Sequence, residues 1–323
     1  MAPKPSRQEQ NQSMVSSDLK AKTAWLYYVE SFTQEQIAKK LGVSRVKVMR
    51  TLAACTAEGV VVTVVNTPTA EQIALERALE KQWGLAAAVV VPTPEVDANL
   101  ERAIGQAVAQ YLGGQMRDGM TLAVGGGATL HASLGYLARR QLKDASVVAM
   151  VGSLPHSRWV NPSIVATKIA EVFGADCYQI TAPVTVDDPL LRERLWKQPS
   201  LQEVVDRAAA ADIALLTVGD VSRAATIFRH GIVPVALIEP LLGLGAVANM
   251  LCYFVDATGK LVDHEINSRI MAIGLDVVSS VPNVVLAAGG ERKVSAIRAA
   301  LQAVKTSVLI TDSATARALV ESG

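Results

Sequence analysis

Apolar positions follow two different rhythms along this chain, and the change between them divides it. From residue 17 to residue 59 they recur every three to four residues, the period of amphipathic helices. Thr33 and Gln36 stand three apart as a capping box, so a helix begins near Thr33 and buries Ile37, Ala38 and Leu41. Gly42 supplies a tight turn, Val43 packs in the corner, and Ser44 caps a further helix whose Val48 and Leu52 face inward. Beyond residue 67 the pattern becomes short continuous runs separated by Ala-rich helical stretches: AAAVVV, TLAVG, SVVAMVG, CYQIT, IALLTVG, LCYFVD, NVVLAAG and SVLITD. Continuous apolar runs are strands buried on both faces, which predicts an α/β unit with an open, mainly parallel sheet covered by helices. Between the two regions, the Pro turn of NTPTAEQ precedes a helix from Ala70 to Trp83. Its Ile73, Leu75, Leu79 and Trp83 suggest a connector or subunit-contact surface.

The N-terminal pattern has the order of a helix-turn-helix. Arg45, Lys47 and Arg50 project away from the buried stripe of the Ser44-capped helix. Ser44, Arg45 and Lys47 are the expected base contacts and Arg50 a phosphate contact, with Thr33 and Gln34 at the entry of the preceding helix completing the DNA-facing set. The run GVVVTVV from Gly59 to Val65 reads as a strand or short wing. Residues 1 to 66 carry nine Lys or Arg against five Asp or Glu, +4, while the whole chain is +1. The positive charge therefore sits where a polyanion would bind.

With 323 residues, half of them apolar, the chain has material for two domains. The expected organisation is a disordered arm over 1–15, a winged helix-turn-helix over 16–66, and an effector and oligomerisation domain over 67–323. No apolar run approaches the roughly 18 residues that span a bilayer, and the opening MAPKPSRQEQNQS is polar, so a cytoplasmic protein without membrane partners is expected. Cys55, Cys177 and Cys252 are isolated, and His131, His156, His230 and His264 are scattered, which predicts neither a metal site nor a cofactor.

In open parallel sheets ligands sit beyond the carboxyl ends of the strands. After TLAV comes Gly125-Gly126-Gly127-Ala128-Thr129, a loop whose N–H groups and hydroxyl suit a phosphate, opening a helix expected to run to about Arg140. A second glycine loop, Gly289-Gly290, leads to Lys293 one turn into its helix. Gly152-Ser153 and Gly219-Asp220 follow two further strands. Asp256 in the turn Asp256-Ala257-Thr258-Gly259, the triplet Asp263-His264-Glu265, and Arg269 add groups suited to hydroxyls and phosphate.

Taken together, these motifs resemble the SorC/DeoR-type sugar-binding transcriptional regulators, a bacterial family. The matching stretches are AWLYYVESFTQEQIAKKLGVSRVKVMRTL, GGGATL, ADIALLTVG, GAVANMLCYFVDATGKLVDHEINSR, VVLAAGGERKVSAIRAAL and LITDSATARALV. The resemblance implies a helix-turn-helix ahead of an effector domain similar to sugar-phosphate isomerases, a phosphorylated sugar or related effector, and dimers or tetramers on operator DNA. It places phosphate binding on Gly127, Thr129, Arg269 and Lys293, and sugar contacts on Gly152, Ser153, Asp256 and Glu239; the two glycine loops themselves add Gly126, Gly289 and Gly290 to the expected effector contacts. Two departures stand out: Gly126-Gly127-Ala128-Thr129 where the family often has Trp-Gly-x-Thr, and Gly245-Ala246-Val247-Ala248-Asn249 where it has GAVGD.

The expectation is thus a regulator of carbohydrate or polyol metabolism and not an enzyme. The alternative is an isomerase-like or hydrolytic enzyme with a DNA-binding appendage, using Asp256, Asp263, His264 or Glu265 as base, although no nucleophile and base stand at telling spacing. A DNA-bending architectural protein would need basic charge throughout, which the acidic C-terminal part contradicts.

Overall fold

The structure is a computed structural model that describes residues 18–61, 69–154 and 161–321. The arm over 1–15 and most of the expected wing, from residue 62 on, lie outside the described residues. The chain divides into two compact units, residues 1–67 and 68–323.

In the first unit, a π-helical turn Trp25–Val29 precedes the helices Gln34–Leu41 and Arg45–Ala57. Thr33 Oγ1 accepts from the Gln36 N–H and Gln36 Oε1 accepts from the Thr33 N–H, so both capping-box bonds form. Gly42 ends that helix at φ +65°, a conformation that costs glycine little. Ser44 then accepts from the Lys47 N–H to start the next helix. Leu26, Ile37, Val48 and Leu52 close into a small core.

In the second unit, seven parallel strands form one sheet in the order β1-β9-β8-β5-β2-β3-β4. They are β1 (Ala87–Val91), β2 (Thr121–Val124), β3 (Ser146–Ala149), β4 (Asp176–Tyr178), β5 (Ile213–Leu216), β8 (Asn283–Ala287) and β9 (Val308–Asp312). β3, β5 and β9 are buried at every position, as continuous apolar runs require of strands covered on both faces. Two apolar clusters cover the two faces of this sheet.

Three expectations need correction. LCYFVD does not join the parallel sheet: β6 (Ala246–Met250) and β7 (Tyr253–Asp256) form a separate antiparallel hairpin, because only Leu251 and Cys252 lie between them and so short a link cannot cross over to a parallel partner. The helix after the triple glycine covers only Ala128–Ser133, where the Leu134 N–H already bonds the His131 carbonyl and Gly135 follows. The Ala70–Trp83 helix has the expected bounds, but Leu79 is fully buried and Leu75 and Trp83 pack on the main core, leaving Ile73, 46% exposed, as the large apolar surface residue. Glu71 of this helix pairs with Arg317.

Candidate functional site

The loops at the carboxyl ends of β2 and β5 border a pocket of about 190 Å³. This is below the roughly 300–1,000 Å³ common for drug-sized ligands and suits a small metabolite. β2 and β5 are direct neighbours near the middle of the sheet, so the pocket opens where two adjacent loops part.

Its floor is the glycine turn. Gly127 takes φ +119°, and Thr217, just past β5, donates from Oγ1 to the Gly126 carbonyl at 2.7 Å. Thr129 in the following short helix is buried at the pocket edge. A Cβ on Gly127 would stand 2.7 Å from Thr217 Oγ1. Gly127→Ala is therefore expected to cost about 1–3 kcal/mol in denaturant unfolding and to weaken effector binding, because both the backbone conformation and the Thr217 contact must change. Gly113→Ala, on an open face of the Leu100–Gln115 helix, is the control and should stabilise by about 0.5–1 kcal/mol.

The walls carry both signs of charge. Lys293, Arg292 and Arg229 meet Glu101 and Asp220 around the same space. Lys293 is half-buried, and burial draws its ammonium below the usual lysine range, with Glu101 and Asp220 opposing that shift. Asn249 on the hairpin exchanges backbone bonds with Gly219 and donates from Nδ2 to the Asp220 carbonyl at 2.9 Å, so the residue that departs from GAVGD ties the hairpin to the β5 loop. The hairpin's two turn residues, Leu251 at φ +49° and Cys252 at φ +70°, both line the pocket. Such turns usually take Asn or Gly, and non-glycine residues held there store strain at a pocket-facing position. Burial pushes the Cys252 thiol up to about 12, which makes it a pocket wall and not a thiolate nucleophile.

Of the residues singled out from sequence, Gly126, Gly127, Thr129, Gly219, Asp220 and Lys293 come together in this pocket. Gly289 and Gly290 shape the loop that delivers Lys293 but do not line it: the Gly290 N–H is taken by Asp312 and Thr315. Gly152 and Ser153 lie between two lining residues, Val151 and Leu154, and are used structurally. A Cβ on Gly152 would meet the Ala182 carbonyl at 2.6 Å, and Ser153 donates its N–H to that same carbonyl.

Glu239, Asp256 and Arg269 do not line the pocket. Glu239 is exposed at the start of the Ile238–Gly243 helix. Asp256 closes its own turn by accepting from Thr258 and Lys260. Arg269 donates to the Val186 carbonyl and pairs with Glu265 and Asp187. Asp263, His264 and Glu265 also lie off the pocket, and His264 Nδ1 accepts from the Ile266 N–H as a helix cap. Sequence reading missed Glu101, Thr217, Arg229 and Arg292, because no motif marks a single polar residue on a helix or just past a strand. In the first unit Thr33, Ser44, Arg45, Lys47 and Arg50 are exposed, with Thr33 serving as a helix cap, and Gln34 is half-buried.

A family model described as "Putative sugar-binding domain" matches residues 67–321. The erythritol catabolism regulatory protein EryD of Brucella abortus (strain 2308) is 31% identical over 304 residues, covering 94% of this chain and 96% of that protein. The deoxyribonucleoside regulator of Bacillus subtilis (strain 168) is 33% identical over 305 residues, covering 94% and 97%. Among solved structures, the full-length sorbitol operon regulator SorC from Klebsiella pneumoniae superposes with a TM-score of 0.70 at 25% identity, over 94% of this chain and 98% of that one. By a family model that spans most of its length and by relatives that match it almost end to end, the chain belongs to the SorC/DeoR-type family of sugar-binding transcriptional regulators.

Proposed function

We propose that this regulator controls genes of carbohydrate or polyol metabolism from the cytoplasm, reading operator DNA through residues 16–66 and holding a small phosphorylated, sugar-like effector in the pocket of residues 67–323. The observation that carries the effector reading is the meeting of Lys293, Arg292 and Arg229 with Glu101 and Asp220 around the Gly126-Gly127 turn. Cations and free backbone N–H groups favour an anion, carboxylates accept from hydroxyls, and a pocket of this size admits a molecule with one phosphate and a few hydroxylated carbons. Self-association as a dimer or tetramer would present paired recognition helices to half-sites about 34 Å apart per helical turn. The effector changes operator affinity only by binding the DNA-competent and DNA-incompetent arrangements unequally, typically by about 1–3 kcal/mol.

The test begins with an operator selected in vitro from random DNA with the purified full-length protein. Its affinity is then measured against a panel of sugar and polyol phosphates and their unphosphorylated forms. A phosphorylated member is expected to change operator affinity about fivefold or more and to raise the unfolding temperature. An effect from a free polyol alone would overturn the phosphate part of the reading. Turnover of a panel member would favour an enzyme.

A further inference from the structure

We infer that Val46 and Met49 read thymine methyl groups in the major groove. The inference rests on the reading of residues 16–66 as the operator-binding unit and names what one face of it recognises. The Arg45–Ala57 helix buries Val48, Leu52 and Cys55 against its own unit, which accounts for one side. At 100° per residue, Val46 points about 200° away from Val48, and Met49 sits beside it on the next turn. Val46 is 53% exposed and Met49 52% exposed. Neither contributes to the core of this unit.

What surrounds this apolar pair identifies its occupant. Arg45, Lys47 and Arg50 flank it on the same helix, all exposed, and among the described residues none of the three has an ion-pair partner. A second copy of this face packed symmetrically would set these cations against their own kind. A polyanion that also offers apolar groups fits both features. On the base edges of the major groove the 5-methyl of thymine is the apolar group, and the first turns of a recognition helix are the part that reaches those edges. Val46 and Met49 are the second and fifth residues of the helix, within that reach.

The experiment replaces each thymine of the selected operator, one at a time, by deoxyuridine. This removes a methyl group while keeping base pairing and charge. With the full-length protein, one or two positions per half-site should lose affinity roughly fourfold each, the value of one buried methyl group. With Val46→Ser combined with Met49→Gln, both at exposed positions and with unchanged thermal unfolding as the folding check, those penalties should vanish. The salt dependence set by Arg and Lys on phosphate should remain. An operator bound normally but with no thymine whose methyl matters overturns the inference and leaves the regulator reading intact, as do penalties that persist unchanged in the double variant. Failure to select any DNA overturns both.

Discussion

Lys293→Met is expected to weaken effector binding about tenfold to hundredfold while leaving the unfolding temperature of the unliganded protein nearly unchanged. Lys293 is half-buried in the pocket and joins no ion pair among the described residues. Its ammonium is thus free to meet a ligand anion, and a hydrogen bond to a charged group in a partly desolvated site contributes about 1.5–3 kcal/mol. Methionine keeps the length and the apolar stem, so packing is conserved. Isothermal titration with a sugar or polyol phosphate that shifts operator binding checks the loss, and unchanged affinity would place the anion elsewhere.

The same residue predicts a pH dependence with a defined sign. Burial favours the neutral amine, so the Lys293 ammonium titrates below the usual lysine range. Anion binding needs the charged form. Effector affinity should therefore hold through neutral pH and fall as pH rises through that lowered value, earlier than an exposed lysine would allow. In Lys293→Met this alkaline decline should be absent.

How far the sequence revealed this site follows from what kind of signal each residue leaves. The parallel sheet was legible because strands buried on both faces must be apolar throughout, as β3, β5 and β9 are. Both capped helices of the first unit were legible because capping bonds are local and span three residues. The Gly126-Gly127 turn and Lys293 were found by their position after strands. Glu101, Thr217, Arg229 and Arg292 were not, since tertiary folding alone aims them at the same space. The reverse error has the same origin. Asp256 and Arg269 have the right chemistry for sugar and phosphate, but their groups are consumed by a turn and by Val186, Glu265 and Asp187, contacts that spacing does not reveal.

Asp312 is where structure adds most to the sequence, and its replacement carries the largest stability effect expected here. It ends β9 and is fully buried. Oδ2 accepts from Thr93 Oγ1 at 2.6 Å and from the Thr315 N–H at 3.3 Å, while Oδ1 accepts from Thr315 Oγ1 at 2.5 Å and from the Gly290 N–H at 3.1 Å. One carboxylate thereby caps the Ser313–Glu321 helix, anchors the loop after β1, and fixes the glycine loop that delivers Lys293. Asp312→Ala leaves these donors unmet in a buried site and should cost about 3–5 kcal/mol in denaturant unfolding at pH 7, with Asp312→Asn losing less. Burial alone would raise this carboxyl, but the bonds from Thr315, Thr93 and Gly290 outweigh it and hold it below the usual range. A depressed folded value means stability that is present above the unfolded carboxyl value, about 3.9, and lost as pH falls through the folded one. The stability gap between the natural protein and Asp312→Asn should therefore be full near neutrality and narrow in acid. A gap that stays constant down to pH values well below that range would show that the carboxylate's charge contributes nothing to the loop it holds.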